Sequence, residues 1–414
     1  MNEWTKVKVG NLGQVITGKT PKTSNREYYG GNIPFLTPSD DMSVKYVRNT
    51  NKYITEAGRL SVKNATIPEN AICVSCIGSD LGKVVITTQE TVTNQQINSV
   101  IVDESKFDID FIYYSMLELG KLLNFHSKTS TAVPIVNKSS FSQYEICCPD
   151  FATQKKIGSI LASIDEKIEL NNKINSNLEQ QAQAVFKSWF VDFEPYGGVM
   201  PSDWNVVSFD TIVDFQNGYA FKSKELLDGA DDDTYRVFKQ GHINRGGGFN
   251  SSGTKSWYPI SKCANLDKFI LHKGDVLMAM TDMKDNVQIL GNTAIMPVDN
   301  QYIVNQRVGL LRSKGLCGIE YPFIYLLTNN QEFLTDLRSR ANSGVQVNLS
   351  SSEIKASEVV LATTDVNIKF NDIVKPMLEM MLENSLENEK LAILRDTLLP
   401  KLMSGEIDLS SIDI

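Results

Sequence analysis

The sequence predicts an α+β protein in which two pseudo-symmetric mixed α/β domains are separated by two long helices that form an antiparallel coiled coil. Three observations lead to this fold class. The chain has 414 residues, which is too long for one ordinary globular domain and favours two or three. Short sequence matches recur in the same order in its two halves. Each half then ends in a long heptad pattern of apolar residues.

The two halves match at five places in the same order, which indicates duplication of a whole domain. The offset between paired segments drifts only from 200 to 212 residues, as expected when a few loops gain residues. Each match is weak alone, and the shared order makes them informative. The pairs are residues 4–7 with 204–206, 17–20 with 217–222, 70–76 with 274–280, 93–96 with 304–307, and 131–135 with 343–347.

The segments that precede the long helices are predicted to be mixed α/β. Short β-rich runs, such as residues 71–77 and 84–88, alternate with turn residues. Amphipathic helices are predicted over Phe111–Leu123 and over its counterpart Tyr321–Arg338. The predicted segments are a first domain at 1–150, a first long helix at 151–195, a second domain at 196–362, and a second long helix with a C-terminal tail at 363–414.

The apolar residues of each long helix recur with spacings of four and three, and polar residues interrupt the pattern near its middle. Such a pattern predicts a coiled coil, in which polar seam residues fix the register and the orientation of the partner. Two such helices in one chain most simply pair with each other, and roughly 36 residues at ~1.5 Å each give a rod of about 54 Å. The alternative is that each helix packs only on its own domain.

The predicted coiled-coil and partner-contact positions follow these two apolar patterns. They are Ile157, Leu161, Ile164, Ile168, Leu178, Val185, Trp189 and Phe190 in the first helix, and Ile373, Met377, Met380, Leu391, Leu394 and Leu398 in the second, with polar interruptions at Asn171, Asn175, Asn384 and Glu387.

The net charge of −8 is only weak evidence against nucleic-acid binding, because the charge is unevenly distributed. Residues 363–414 contain 5 basic and 10 acidic residues, whereas residues 1–150 contain 15 of each. Local basic faces therefore remain possible on both domains. The sequence has no run of 18 apolar residues and no signal-peptide pattern, and its six cysteines are unevenly spaced. These features favour a cytoplasmic protein without a disulfide framework.

Motifs for catalysis or cofactor binding are missing from the sequence. The spacing of Cys73 and Cys76 is compatible with zinc ligands, but the second half has Leu277 and Met280 at these positions, which favours a packing role. The sequence contains neither a phosphate-binding G-x-x-x-x-G-K-[ST] loop nor an Asn-Pro-Pro-aromatic motif. We therefore expect no catalytic residue, no metal and no cofactor in this chain.

The ends of both long helices resemble those of type I restriction–modification specificity subunits. The resemblance lies in Phe186–Pro195 and Leu394–Ile407, and also in Pro149–Ile157, which leads into the first helix. The second copy departs at residues 362–365, which lack the Pro and Gln of the first. The resemblance covers essentially the whole chain. It implies two target-recognition domains that each read half of a split, asymmetric site on double-stranded DNA.

The resemblance also implies partners. Two modification subunits, which are adenine methyltransferases, would dock on the helices, and restriction/translocase subunits would join them. S-adenosylmethionine, ATP and Mg would then belong to those partners. Two alternatives remain open: an enzyme with a cryptic methyltransferase or nuclease site, and a structural protein that uses its coiled-coil spacer to bridge ligands other than nucleic acid.

Candidate DNA contacts lie mainly in Lys- and Thr-rich loops. Arg, Lys, Asn and Gln read base edges, whereas Lys, Arg, Ser and Thr bind phosphates. The candidates are Lys19, Thr20, Lys22, Thr23, Arg26, Lys128 and Ser130 in the first domain, and Lys222, Lys224, Gln240, His242, Arg245, Arg338, Arg340 and Gln346 in the second. The repeated segments 94–96 and 305–307 can read adenine or guanine, but a role in stabilising the fold explains them equally well.

Overall fold

The computed structural model describes residues 4–78, 81–128, 135–283, 287–342, 346–407 and 409. It divides into two compact units. Unit 1 comprises Met1–Glu169 with Lys390–Ile414, and unit 2 comprises Leu170–Glu389. Each unit contains one domain together with a part of each long helix, whereas the segments predicted from the sequence keep the long helices separate from the domains.

Helices of two kinds are present, short ones within the domains and two helices of 40 residues each. In chain order they are α1 (Glu56–Ser61), α2 (Ile109–Lys128), α3 (Lys138–Gln143), α4 (Phe151–Phe190), α5 (Tyr321–Thr328), α6 (Gln331–Ser339), α7 (Ser351–Ala356) and α8 (Thr364–Met403).

The prediction of one helix over Tyr321–Arg338 is wrong, because α5 and α6 are separate. The helix α5 ends at Thr328 and is capped by Asn329. The side chain of Asn330 then accepts a hydrogen bond of 3.0 Å from the backbone N–H of Glu332. Asparagine is a favoured residue at the N-terminal cap of a helix, so Asn330 starts a new helix in the middle of the apolar pattern.

Unit 1 contains several sheets, and its helix α2 packs against the central, mixed one. Its strands are β1 (Thr5–Lys8), β2 (Gly13–Thr17), β3 (Tyr29–Leu36), β4 (Tyr46–Val47), β5 (Tyr53–Ile54), β6 (Thr66–Ile67), β7 (Ala71–Ser75), β8 (Val84–Thr87), β9 (Thr91–Thr93), β10 (Ile97–Val102) and β11 (Glu145–Cys148). The central sheet has the order β2-β10-β7-β8-β4, and a second sheet has the order β5-β3-β9-β6. Phe111 and Tyr114 of α2 are fully buried in one core with Ile72 and Val100 of the central sheet.

Unit 2 has a similar set of strands. They are β12 (Asn205–Ser208), β13 (Val213–Asn217), β14 (Thr234–Phe238), β15 (Trp257–Pro259), β16 (Val276–Ala279), β17 (Thr281–Met283), β18 (Thr293–Ile295), β19 (Tyr302–Val304), β20 (Val308–Ser313), β21 (Gln346–Asn348) and β22 (Glu358–Leu361). The central sheet has the order β13-β20-β16-β18, beside sheets of order β15-β14-β19 and β17-β21.

The two domains repeat one topology, as the sequence matches predict. The antiparallel order β2-β10-β7 of unit 1 corresponds to β13-β20-β16 of unit 2. In each domain the first strand pairs antiparallel with the last, β1 with β11 and β12 with β22. The predicted α+β class with two pseudo-symmetric domains and two long helices is confirmed.

The long helices pair antiparallel in the part that each unit contains. In unit 2, the ring centroids of Phe186 and Phe370 lie 6.1 Å apart, while Asn175, nearer the start of α4, donates a hydrogen bond to the backbone oxygen of Met381, further along α8. In unit 1, Leu161 of α4 shares a core with Leu399 of α8. Helix pairing therefore exists in both units, and each pair also packs on its own domain.

A polar layer interrupts the apolar seam within unit 2. Asn171 donates hydrogen bonds to Glu387 at 2.6 Å and to Asn388 at 2.9 Å, and Asn384 donates to Asn175 at 2.8 Å. A shift of one helix along the other would leave the buried amide of Asn171 and the half-buried amides of Asn175 and Asn384 without these partners, which is costly in an apolar seam. The polar residues that interrupt the apolar pattern in the sequence thus form hydrogen bonds between the two helices.

Three of the predicted apolar seam positions of the second helix are wrong. Ile373, Met380 and Leu394 are 41%, 50% and 46% exposed. The buried stripe in unit 2 instead contains Phe370, Val374, Leu378 and Leu382. The helix α8 carries two neighbouring apolar stripes, so the heptad spacing alone did not reveal which of them faces α4.

The other predicted seam positions are at least partly buried. Ile157, Leu161, Ile164 and Phe190 are buried, and the half-buried positions are Ile168, Leu178, Val185, Trp189, Met377, Leu391 and Leu398.

Truncation of the two α8 stripes should separate their roles. We expect Leu378→Ala to lower the free energy of unfolding of the purified chain by about 2–5 kcal/mol, because it leaves a cavity in a core. Met380→Ala should cost less than ~1 kcal/mol, since the side chain is half exposed. Chemical denaturation measures both values, and a larger loss for Met380→Ala would contradict the observed seam.

Candidate nucleic-acid interface

One edge of the central sheet of unit 1 gathers four loops. Because β2, β10 and β7 alternate in direction, the end of β2, the start of β10 and the end of β7 meet at this edge. The backbone N–H of Lys19 donates to Thr93 at 2.8 Å, that of Cys76 donates to Gln96 at 2.7 Å, and that of Val136 donates to Cys76 at 2.8 Å. We call residues 18–20, 76–77, 94–96 and 135–136 the loop edge of unit 1.

Unit 2 has a corresponding loop edge, formed by residues 218–219, 280–283, 305–307 and 346–349. The backbone N–H of Tyr219 donates to Val304 at 2.9 Å, that of Met280 donates to Arg307 at 3.1 Å, and that of Leu349 donates to Met280 at 2.9 Å. The scheme of backbone hydrogen bonds is thus the same in both domains, although the side chains differ.

The repeated asparagines hold the turn at the centre of each loop edge. Asn94 and Asn305 are buried, and the side-chain oxygen of each accepts a hydrogen bond from the backbone two residues later, from Gln96 at 3.1 Å and from Arg307 at 3.3 Å. This geometry supports the structural interpretation of the two asparagines. The residues that follow them are turned outward, and Gln95 and Arg307 are exposed.

A glycine in each domain lets a second loop approach this turn. A Cβ atom on Gly18 would lie 2.0 Å from the backbone oxygen of Asn94, and one on Gly218 would lie 2.2 Å from that of Asn305. No side chain fits at such distances. The glycines therefore place Lys19 and Tyr219 directly against the turns.

Most of the candidates in the first domain are accessible. Lys19, Lys22, Thr23, Arg26 and Lys128 are exposed. The hydroxyl of Thr20 donates a hydrogen bond of 2.7 Å to Gln95, which joins two parts of the loop edge. The candidate Ser130 lies outside the described residues.

The candidates in the second domain are more dispersed. Lys222, Lys224 and Arg245 are exposed. The amide of Gln240 exchanges hydrogen bonds with the backbone oxygen and the hydroxyl of Thr281, so it contacts the loop edge but is occupied there. The side chain of Gln346 lies outside the described residues.

Another candidate of the second domain, Arg340, has a different environment. Arg340 forms an ion pair of 2.7 Å with Asp336. Together they line a groove that includes Phe190, where α4 ends. Arg340 is thus engaged beside α4.

The structure contradicts the assignment of His242 as a DNA contact. Its side chain is fully buried and stacks on Phe238 at a ring-centroid distance of 5.1 Å, while Nδ1 accepts from the backbone N–H of Lys239. Burial lowers the pKa of His242 to about 4. The residue is therefore a neutral part of the core.

Arg338 also has a structural role in place of the predicted DNA contact. Its guanidinium donates to the backbone oxygens of Leu290 at 2.9 Å and Gln288 at 3.1 Å, and to the side chain of Asn292 at 3.2 Å. These bonds hold the segment that returns from β17 to the sheet. Sequence alone does not distinguish such an arginine from one that faces a ligand.

The cysteines that raised the possibility of zinc are packing residues. Cys73 and Cys76 are buried, and burial raises the pKa of their thiols to about 12 and about 11. Zinc binds the thiolate form, so this environment opposes coordination. Among the described residues, no group of three or more His, Cys, Asp or Glu side chains is arranged to hold a metal ion.

The comparison with known proteins decides the family. A profile described as the type I restriction modification DNA specificity domain matches residues 1–180 and again residues 201–388. The chain belongs to the type I restriction–modification specificity family. Each matched region contains one of the two repeats, so the chain carries two copies of one kind of domain.

Relatives of the chain are themselves named as specificity subunits. It is 25% identical over 427 residues to the type I restriction enzyme MjaIX specificity subunit of Methanocaldococcus jannaschii, covering 98% of this chain and 94% of that one. It is 34% identical over 183 residues to the HindI specificity subunit of Haemophilus influenzae, covering 43% and 39%.

A solved structure has a similar fold. The crystal structure of the S subunit of a type I restriction–modification system from M. genitalium aligns with a TM-score of 0.62 at 16% sequence identity, and the match covers 97% of this chain and 96% of that one.

As a specificity subunit, the chain is a DNA-recognition component and not a catalytic one. None of the helices within the described residues is long and apolar enough to cross a membrane. Within the described residues, both loop edges carry exposed polar side chains, such as Gln95 in unit 1 and Arg307 in unit 2.

A glycine substitution tests the construction of the loop edge. Gly218→Ala should lower the free energy of unfolding by about 1–3 kcal/mol, because the added methyl group overlaps the Asn305 carbonyl. Gly229→Ala is the matched control, since no atom lies within 4 Å of its added Cβ. Thermal denaturation compares the two, and equal stability would show that the loop does not approach the turn this closely.

Proposed function

We propose that this specificity subunit binds double-stranded DNA at a bipartite, asymmetric target, with the loop edge of one domain on each half-site. The observation that carries the proposal is that both domains build the same turn but differ in the side chain that follows it. Unit 1 has Gln96, which is half-buried and accepts a hydrogen bond of 2.9 Å from Asn94, and unit 2 has the exposed Arg307. Gln pairs with adenine and Arg with guanine in the major groove. The two half-sites would accordingly differ in sequence.

We further propose that the chain is the assembly scaffold of the complex. A chain with two repeated halves can recruit two copies of one partner through equivalent surfaces, here the adenine methyltransferase modification subunits, after which restriction/translocase subunits join. The exposed apolar residues of α8, including Ile373, Met380 and Ile393, offer contacts to such a partner. S-adenosylmethionine, ATP and Mg would be bound by the partners.

The alternative is a structural bridging protein with a coiled-coil spacer. Family membership weighs against it, and DNA binding separates the two hypotheses. A gel shift of genomic fragments by the chain with its modification partner should show sequence preference and should weaken with salt, since phosphate contacts release counterions. Binding without sequence preference would favour the bridging protein.

Mapping of methylated bases tests the proposed function directly. Host DNA should carry a modified motif made of two different short sequences with a fixed gap, and deletion of the gene for this chain should abolish it. A continuous motif, or a motif that survives the deletion, would contradict the proposal. The purified chain alone, supplied with methyl donor and DNA, should show no turnover.

A single substitution tests the role of the turn in unit 2. In the complex with the modification subunit, Arg307→Gln should reduce discrimination for guanine at one position of one half-site by about 10- to 100-fold and favour adenine there. The base preference at the other half-site should not change. Lys262→Gln is the control, since Lys262 is exposed but lies outside the loop edge. Sequencing of the methylated products reports the base preference at every position of the target. An unchanged motif would show that Arg307 does not contact a base.

A further inference from the structure

A tyrosine of the first domain is hydrogen-bonded to the long helices within unit 1. The hydroxyl of Tyr114, a fully buried residue of α2, donates to Asp165 Oδ2 on α4 at 2.6 Å. The other oxygen of the same carboxylate accepts from Arg395 Nη1 on α8 at 2.8 Å. Asp165 therefore joins the recognition domain to both helices of the pair.

Unit 2 contains a contact of the same kind. The hydroxyl of Tyr325, a buried residue of α5, donates to Glu179 Oε2 on α4 at 3.0 Å. The neighbouring Gln183 on α4 donates to the backbone oxygen of Leu326 at 3.4 Å. Burial raises the pKa of Glu179, which agrees with a carboxylate that has little water around it and depends on protein donors.

These two contacts are directional, and each lies within packing between domain and helices that is largely apolar. Other polar contacts join the same elements, such as Arg48 with Glu169 at 2.8 Å in unit 1 and Asn371 with the backbone oxygen of Gly318 at 2.8 Å in unit 2. In unit 2 the packing consists of rings such as Phe186, Phe323 and Phe370. Apolar surfaces tolerate small rotations at little cost, because the hydrophobic effect has no preferred direction. Loss of the donor to a partly buried carboxylate is costly, so each tyrosine favours one orientation among those that the apolar packing permits.

The two tyrosines do not occupy the same position in the repeat. The segments 111–113 and 323–325 both read Phe-Ile-Tyr, which aligns Tyr325 with Tyr113, the residue before Tyr114. The acceptors are also different residues of one helix, Asp165 and Glu179. A tyrosine–carboxylate contact is thus present in both units although neither partner is a simple copy of the other.

We propose that Tyr114 and Tyr325 are positioning residues that fix the orientation of each recognition domain on its own part of the long helices, and so restrict the number of base pairs allowed between the half-sites. This inference rests on the proposed function. B-DNA completes a turn in about 10–10.5 base pairs, so one added base pair rotates a half-site by about 35°. A domain that can adjust its orientation would accept such a change more readily.

The test uses the full chain in complex with its modification subunit. The methylated motif of the wild-type complex is read first, and a DNA library is then made with the same half-sites at the native gap and at gaps changed by one or two base pairs. Tyr114→Phe and Tyr325→Phe should retain methylation at the native gap and raise it, relative to wild type, on the order of tenfold at gaps changed by one. Tyr302→Phe is the control, since its hydroxyl bonds to Arg236 within the second domain.

The possible outcomes separate this inference from the proposed function. If the wild-type complex yields no bipartite motif, the proposed function fails. If the motif exists and both Phe variants keep the wild-type gap profile, or lose methylation equally at every gap, the positioning role is contradicted. Glu179→Gln keeps an acceptor oxygen for Tyr325, so it should broaden the range of methylated gaps less than Tyr325→Phe does. This variant provides an independent test of the positioning role if one Phe variant does not fold.

Discussion

The antiparallel pairing of α4 with α8 is the interaction on which the rest of the structure depends. In each unit the paired helices contribute to the same core as the domain, so that Leu161 and Leu399 pack with the first sheet and Phe186 and Phe370 pack with the second. A domain in this protein is therefore not complete without helix residues from two distant parts of the chain. Hydrogen bonds from Asn171 and Asn175 to α8, and from Asn384 back to Asn175, hold the register of the pair in unit 2.

Much of this arrangement is predictable from the sequence because it depends on repetition. Duplication places Asn94 and Asn305 at matching points, and the heptads of the first helix identify Ile157 and Leu161 as seam residues, which are buried. In the second helix the prediction is wrong at Ile373, Met380 and Leu394, since α8 has apolar side chains on two adjacent stripes. Periodicity detects an apolar stripe, but it does not determine which of two stripes meets the partner.

The candidate interface was less predictable, because residue type does not distinguish a surface role from a buried one. His242 and Arg338 have the donors expected of DNA contacts, yet one is in the core and the other holds backbone carbonyls. The role of Asn94 became clear only from the 3.1 Å hydrogen bond to its own turn. The hydrogen bonds of Tyr114 and Tyr325 to the long helices are not predictable from the sequence, because a tyrosine within an amphipathic helix is ordinarily a core residue.

The two loop edges combine a constant backbone with variable side chains, which would suit the proposed recognition of two different half-sites with one fold. A cryo-EM structure of the subunit with its modification partners on methylated target DNA tests this claim most directly. The account predicts that Gln95 or Gln96 in one half-site, and Arg307 in the other, lie within about 3 Å of base edges. A structure in which the DNA contacts other surfaces, and both loop edges face solvent, would contradict it.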